Sequence, residues 1–505
     1  MATSHEFAVD RLPASFIPPI ALDFSSETPL YRQIAMWFQR TILAGQLQPG
    51  QRVPSTRALA KELRISRIPV LSAYELLIAE GYFQPFAGAG TCVSRSIPDP
   101  FSPPEREGLP SAVPGEPKSA ARRMVSRRAA TMRGLARAWM QLCAGCTDLD
   151  HFPIRIWSKL VRRHSQKASA DTMGYGNSMG YWPFREALAE YLGAFRAVKC
   201  DPSQIMVTTG SQQALQISAL ALLDPDDDAW IEEPGYPGTQ QALKAAGARL
   251  VPVPVDGHGL DVAYGIRTAN RARAAYVTPS HQFPLGVTMS AARRMELLSW
   301  AARNGAWIVE DDYDSEYRFS GNPLASLQGL DADERVIYVG TLTKVMFPTL
   351  RLGFAVIPHD LVETFADFRN AMDTISTPVL HQMAMTDFIR EGHFSRHIKR
   401  MRAIYMERRK VLAEAISAEP PGILEVVGDE AGMYLVALLP PGIDDVEVAT
   451  RAARMSIRVR ELSRCYASPP GRGGLMLGYA NVKVEEIPAM VRSVISIVRA
   501  SRVRH

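Results

Sequence analysis

The residues of this chain best suited to chemistry cluster in the stretch "YVGTLTKVMFPTLRLGF", Tyr338 to Phe354. Lys344 sits there in a loop of small hydroxyls, between Thr341 and Thr343 on one side and Arg351 a short way downstream. A lysine buried near another cation has a lowered pKa, which leaves a neutral amine free to form an imine with an aldehyde. Thr341, Thr343 and Arg351 add two hydroxyl donors and a planar cation, a set suited to a phosphate. Further upstream, "TTGSQQAL" reads as the end of a strand and the start of a helix. Gly210, Ser211 and Gln212 would then present backbone N–H groups at a helix N-terminus, where anions are favoured.

An anion and two aromatic groups complete the set. In "WIVEDDYDSEYRF", Asp311 falls at the end of an apolar run and Tyr313 follows it; in "EEPGYPG", Tyr236 follows another. The pattern meets the demands of pyridoxal phosphate: a lysine for the aldehyde, an anion for the ring nitrogen and a cradle for the phosphate. Lys344 takes the imine role, and Asp311 faces the protonated pyridine nitrogen. At about 3 Å and an effective dielectric near 20, that pairing is worth on the order of 5 kcal/mol before desolvation. Tyr313 reaches the phenolic oxygen of the ring, and Tyr236 stacks on its face. Each feature alone is weak, since lysines in Thr/Ser loops are mostly surface residues and acidic runs are mostly structural. Their shared placement at strand ends, where open α/β sheets bind ligands, makes the set specific.

The elements that must position these residues are legible from about Leu142 onward. Helical stretches alternate with the β-rich runs "QIMVTTG", "AWIEEP", "RLVPVPV", "AAYVTPS", "WIVEDD", "RVIYVGTL" and "LGFAVIP". That alternation predicts a mostly parallel sheet covered by helices, an α/β fold. "GILEVVG", "GMYLVALL", "SIRVREL" and "GLMLGYA", with a closing helix, predict a smaller α+β unit. We place this rear domain at residues 142–505, with the small subdomain from about 365.

The front of the chain has a different character. Residues 1–26 are irregular. Over 27–94, Ile34, Trp37, Phe38, Ile42 and Leu43 recur at helical spacing, and Gly45 and Pro49-Gly50 break the pattern. Ser55 is placed to cap a second helix and Ser66 a third. "YFQPFAGAGTCV" alternates around a glycine turn and predicts a hairpin. Three helices and a hairpin make a winged helix-turn-helix. From Glu27 to Arg95, eight Lys/Arg face four Glu, and the whole chain carries +5, a balance that suits DNA. Residues 95–141, rich in Pro and Arg, read as a linker without apolar period.

Composition narrows the class. The chain has 505 residues, 47% of them hydrophobic and 22% charged, as expected of a globular protein with two or three domains. There is no apolar run long enough for a bilayer and no signal-peptide pattern at the start, so the expected location is the cytoplasm. Five cysteines do not form a disulfide framework, and Cys143 and Cys146 read as two reduced thiols. No metal site is expected.

The stretch Leu30 to Val93 resembles the GntR-type winged helix, through "GQLQPGQRVPSTRALAKEL", "SRIPVLSAYELLIAEGYF" and the closing "GAGTCV". Residues from Leu142 on resemble fold-type I PLP-dependent aminotransferases, in the branch of the kynurenine and α-aminoadipate enzymes. Together the two resemble the MocR subfamily of regulators, whose patterns are close to "EEPGYPG", "TPSHQFPLG", "EDDYDSEYRF" and "GTLTKVMFPTLRLGF". The resemblance implies Lys344 as the imine lysine, Asp311 as the pyridine partner, and Ser211, Gln212, Tyr236, Tyr313, Thr341, Thr343 and Arg351 around the cofactor. It also implies a head-to-tail homodimer in which Tyr175 reaches the neighbouring subunit's phosphate. In the front domain it implies DNA contact by Arg57 and Arg67, beside the capping residues Ser55 and Ser66.

Three departures bear on function. Where the regulators' helix usually opens on a small polar pair, this chain has Ile68-Pro69, which places Ile68 against a thymine methyl. Aminotransferases usually have Asn before the proline of "HQFPLG", and here it is Phe283. Met476 falls where such enzymes place a carboxylate-binding arginine, with Arg472 nearby as a substitute. The expected function is a DNA-binding transcriptional regulator that holds PLP as an internal aldimine and senses PLP or an amine or amino-acid effector. The alternative is an active aminotransferase with an accessory DNA-binding domain; a third reading, a rear domain that only dimerises, leaves the Lys344–Asp311–Arg351 set unexplained.

Overall fold

The computed structural model describes residues 19–86, 90–95, 146–319, 325–373, 378–428 and 431–502. The chain divides into two compact units, with the division near residue 122. The expected linker and the tip of the hairpin lie largely or wholly outside the described residues.

The first unit is built on α1 (Leu30–Leu43), α2 (Thr56–Leu63), α3 (Arg67–Ala79) and the antiparallel pair β1 (Phe83–Phe86) and β2 (Gly90–Val93). The apolar positions of α1 and α3 recur at helical spacing because each helix buries one stripe: Ile34, Phe38 and Ile42 from one, Val70, Tyr74 and Leu77 from the other. Phe38, Tyr74 and Phe83 meet edge to face at 5.0–5.8 Å, closing the core against the hairpin. Ser55 caps α2 by accepting the Ala58 N–H at 3.2 Å. Ser66 stands at the N-cap of α3, but its hydroxyl makes no capping bond. The reason is local: Pro69 occupies the third helical position and has no N–H to give.

The second unit contains an eight-stranded sheet of order β3-β10-β9-β8-β7-β4-β5-β6. Its strands are β3 (Ile205–Thr208), β4 (Asp228–Glu233), β5 (Arg249–Asp256), β6 (Gly259–Leu260), β7 (Ala274–Val277), β8 (Trp307–Asp312), β9 (Val336–Thr341) and β10 (Gly353–Val356). The neighbours from β5 through β9 pair in parallel, and β10 runs against both β9 and β3. β3, β7 and β9 are buried throughout, so they read as continuous apolar runs and not as alternating strands. Helices bury apolar stripes on both faces, giving separate cores around Phe184 and Phe388, around Leu215 and Phe365, and around Trp230 and Trp300.

A four-stranded antiparallel sheet of order β11-β12-β14-β13 forms the second part, from β11 (Glu425–Val427), β12 (Tyr434–Leu438), β13 (Arg460–Glu461) and β14 (Gly474–Gly478). The helix His393–Ser417 joins the two parts. Phe394 and Ile398 belong to the core of the large sheet, and Met401, Tyr405 and Leu412 to that of the small one. The changeover therefore comes later than the boundary near 365 expected from sequence, because Phe365 and Phe388 still pack beneath the large sheet. Cys146 is in a disulfide, contrary to the reading of reduced thiols. Among the described residues no helix is long and apolar enough to cross a membrane.

Candidate functional site

Because β10 is antiparallel to both β3 and β9, β3 points the same way as the parallel strands, and all their carboxyl ends lie on one edge. That edge gathers Gly210 and Ser211 after β3, Tyr236 after β4, Asp311 and Tyr313 at β8, and Thr341 to Lys344 at β9.

The helix Ser211–Leu222 begins directly after Gly210, whose φ is +110° and which makes no side-chain cap. A Cβ on Gly210 would lie 3.1–3.2 Å from three atoms of the Arg351 guanidinium. Arg351 therefore packs against the backbone at a helix N-terminus, where first-turn N–H groups lack intrahelical acceptors. Both features favour a dianion. Thr341 is buried and its Oγ1 accepts the Thr343 N–H at 3.3 Å. The Thr343 hydroxyl is buried without a hydrogen-bond partner. Gln212 turns aside from this seat and donates to the Gly238 carbonyl at 2.8 Å.

Burial pushes the Lys344 ammonium below its ordinary value; Asp314 and Asp311 oppose that shift, while Arg460 adds to it. Asp311 is 6% exposed, and its Oδ1 has no hydrogen-bond partner. Burial above all, then the charges of Asp312 and Glu232, push its carboxyl up to about 7, and Lys344 pulls it back. An unpartnered buried carboxylate oxygen is costly, so it calls for a donor. The ring N–H of a pyridine cofactor is such a donor, and the seat at Gly210 and Arg351 suits its phosphate. The donor set fits pyridoxal phosphate.

Tyr236 meets the edge of Phe283 at 5.3 Å and is held protonated chiefly by burial. The Tyr313 hydroxyl lies 3.0 Å from His281 Nδ1 and 3.1 Å from the Tyr434 hydroxyl. His281 Nδ1 is also 2.9 Å from Asp314 Oδ1. One ring nitrogen thus serves a carboxylate and a phenol at once, forming a chain Asp314–His281–Tyr313–Tyr434 beside the lysine. Tyr175, 72% exposed, stands apart from these groups.

Arg460 carries no local signal in the sequence that marks it as part of the site. Arg472, the expected substitute cation, bonds Glu425 at 2.7 Å and the Leu439 carbonyl. Arg460 on β13 lies opposite Met476 in the strand register. Its guanidinium is 5.6 Å from the Phe283 ring centre, and its charge is felt at both Lys344 and Tyr236. The cation comes from the strand next to the expected one, a displacement that only the register reveals. His281 has only one such signal, its place two residues before Phe283.

In the first unit Ser55 and Arg57, at the start of α2, and Ser66 and Arg67, at the start of α3, are all exposed. Arg67 Nε donates to Thr56 Oγ1 at 3.0 Å, which ties the two helices together. Ile68 is 73% exposed and Leu71 41%. Two large apolar side chains on the outer face of a helix that also carries Arg67 are suited to a groove lined by thymine methyls.

Comparison with known proteins agrees with both halves. Residues 30–93 match the family "Bacterial regulatory proteins, gntR family", and residues 137–494 match "Aminotransferase class I and II". The chain is 40% identical to a probable rhizopine catabolism regulatory protein, MocR, of Rhizobium meliloti, over 92% of each. It is 29% identical to the pyridoxine biosynthesis transcriptional regulator PdxR of Corynebacterium glutamicum, over 92% of this chain and 94% of that one. Among solved structures, α-aminoadipate aminotransferase LysN of Thermus thermophilus superposes with a TM-score of 0.70 at 26% identity, over 75% of this chain and 98% of that one. Kynurenine aminotransferase of Pyrococcus horikoshii, solved with PMP, gives 0.67 at 27% identity, over 75% and 95%.

Proposed function

The chain belongs to the MocR-type regulators, a GntR winged helix joined to a class I and II aminotransferase domain, and on that premise we propose how its two halves work together. It is a DNA-binding transcriptional regulator, and pyridoxal phosphate is its cofactor. The proposal is that the rear domain senses a primary amine or amino acid, or pyridoxal phosphate itself, and that this changes the affinity of the front domain for its operator. One observation carries it: a buried lysine with a depressed pKa and an unpartnered Asp311 oxygen lie at one sheet edge, in a chain that begins with a winged helix.

When bound, pyridoxal phosphate supplies an aldehyde that condenses reversibly with primary amines. Lys344 would supply the neutral amine that holds it. Arg351 and the N–H groups after Gly210 would bind the phosphate, with Thr343 donating its spare hydroxyl. Asp311 Oδ1 would accept the ring N–H. Tyr236 would cover the ring face, and the Tyr313 hydroxyl, backed by His281 and Asp314, would hydrogen-bond the ring oxygen. Arg460 binds the carboxylate of an amino-acid effector, and Phe283 keeps water from that side. Ser55, Ser66, Arg57 and Arg67 face DNA. The chain works as a head-to-tail homodimer in the cytoplasm, with Tyr175 completing the neighbouring subunit's phosphate seat.

An effector alters operator affinity only if it binds one arrangement of the protein more tightly than another. The test is a mobility shift on DNA upstream of the chain's own gene, with and without pyridoxal phosphate and a panel of amines. Operator binding that changes with either supports the reading; binding indifferent to all of them sinks it. Arg460 keeps one rival in view, a working aminotransferase with an accessory DNA-binding domain. Turnover of amino and keto acids at enzymatic rates would favour that rival.

A further inference from the structure

A second cleft opens behind the imine site. Its volume is 460 Å³, and it is lined by His281 but by none of Lys344, Asp311, Tyr236 or Tyr313. That volume lies within the range of small-molecule sites. One wall is apolar, made by Tyr191, Phe195 and Ile398. The rim also carries Arg318, Lys399 and Arg402, the last two on the same helix as Ile398. Against these three cations stands one acid, Glu316, and it is turned to the Tyr191 hydroxyl at 3.0 Å. At the floor, Arg196 is committed to Asp312 and Ser280, at 2.7 and 2.8 Å.

Two of the rim cations have donors to spare. Lys399 is exposed and makes no ion pair or hydrogen bond among the described residues. Arg402 uses Nε and Nη2 on the Glu316 carbonyl, at 3.1 and 2.7 Å, which leaves its Nη1 free to donate. Apolar side chains lining one cleft with the Arg402 guanidinium and the Lys399 ammonium are a chemistry for a flat or apolar body that bears an anionic head.

We infer that this cleft is a separate binding site for a small organic anion, a carboxylate or phosphate monoester with an aromatic or short apolar body. Its position gives it leverage. Lys399 and Arg402 lie on the helix His393–Ser417 on either side of the point where that helix passes from the large-sheet core, at Ile398, to the small-sheet core, at Met401. Arg318 is bridged to Ala431 at the edge of the small sheet. A ligand held by Lys399 and Arg402 therefore sits where the two cores meet. His281 forms part of its floor and touches Tyr313 and Asp314 through Nδ1. Coupling to the imine site runs through that ring and rests on the function proposed above; binding itself does not.

The test is calorimetric titration of the pyridoxal-phosphate-loaded full chain, its imine site filled, with phenyl phosphate, benzoate and uncharged benzyl alcohol. Saturable binding of one or both anions, but not of the alcohol, is expected. The Lys399→Ala/Arg402→Ala variant is expected to bind about tenfold or more weakly. Lys159→Ala, at an exposed position outside the cleft, is expected to bind as the wild type does. Should the double variant melt early, Lys399→Glu, at an exposed position without a partner, replaces it with the same expectation. Absence of saturable binding, or binding that survives the rim substitutions or is lost in Lys159→Ala, overturns the assignment. A shift of the visible absorbance on anion binding reads the coupling separately. Calorimetric binding without that shift would leave the site standing and refute only its link to the lysine.

Discussion

Replacing Gly210 by alanine separates backbone strain from loss of the phosphate seat. Gly210 combines φ +110° with ψ 164°, a region that residues with a Cβ avoid at a cost of about 1–3 kcal/mol. The loop cannot easily relax, because Gly353 packs against it: a Cβ on Gly353 would already lie 2.7 Å from Gly210 Cα. Stability should fall by about that amount, which lowers Tm by a few degrees. The new methyl would also stand 3.1–3.2 Å from the Arg351 guanidinium, and the flexible arginine is the group that must yield. Losing one charged hydrogen bond to phosphate costs about 1.5–3 kcal/mol, roughly 10- to 150-fold in affinity. Gly305→Ala is the control. Gly305 has φ +61°, and a Cβ there would meet no heavy atom within 4 Å, so the substitution carries a similar backbone penalty of about 1–2 kcal/mol far from the site. Thermal melting and titration with pyridoxal phosphate, followed by visible absorbance, read the two effects. Unchanged affinity in Gly210→Ala, or equal loss in Gly305→Ala, would refute the phosphate seat.

Asp311→Asn should reveal a pH dependence of definite sign. The native carboxyl keeps its proton up to about 7 against an ordinary 3.8, so its stabilising effect in the ligand-free protein fades as pH rises between those values. Without cofactor, melting of the Asn variant should therefore improve relative to wild type from about pH 4 to about pH 7; with cofactor the wild type should regain the advantage, and a pH-independent gap would contradict this. Lys344→Ala should abolish the visible absorbance of the covalently held cofactor while operator DNA binding persists without it. Arg460→Met should weaken amino-acid effectors by about tenfold or more yet spare amines without a carboxylate; equal loss for both would place the guanidinium elsewhere. Uracil in place of operator thymines should weaken the wild type but not Ile68→Ala at the contacted position, and Arg67→Ala should cost about 1–3 kcal/mol in a mobility shift if the side chain reads a base.

Much of the fold was legible because its cues are local. The seven β-rich runs of the rear domain became β3, β4, β5, β7, β8, β9 and β10, since strands buried for most of their length, as all of these but β5 are, betray themselves as short apolar runs whatever their neighbours. Ser55 was readable as a cap because an N-cap bond spans three residues. Ser66 failed for an equally local reason, the proline at its third position. Arg472 and Arg460 show the limit. Both lie near a strand of the small sheet, and composition cannot tell them apart. Which one faces the lysine depends on the pairing of β13 with β14.

The sequence by itself determined the chemistry on offer: a lysine among hydroxyls, an acid at a strand end, a helix opening on Gly-Ser and a basic winged helix. These follow from residue type and from periodicities set by helix and strand geometry over a few residues. Only the tertiary structure decided who meets whom. The pairing of β3 with β10 brings Gly210 to Arg351, and burial from several directions leaves Asp311 Oδ1 without a partner. A helix shared by two cores brings Lys399 and Arg402 into one cleft with Tyr191. Such meetings depend on register and packing between segments far apart in the chain, which no local pattern encodes.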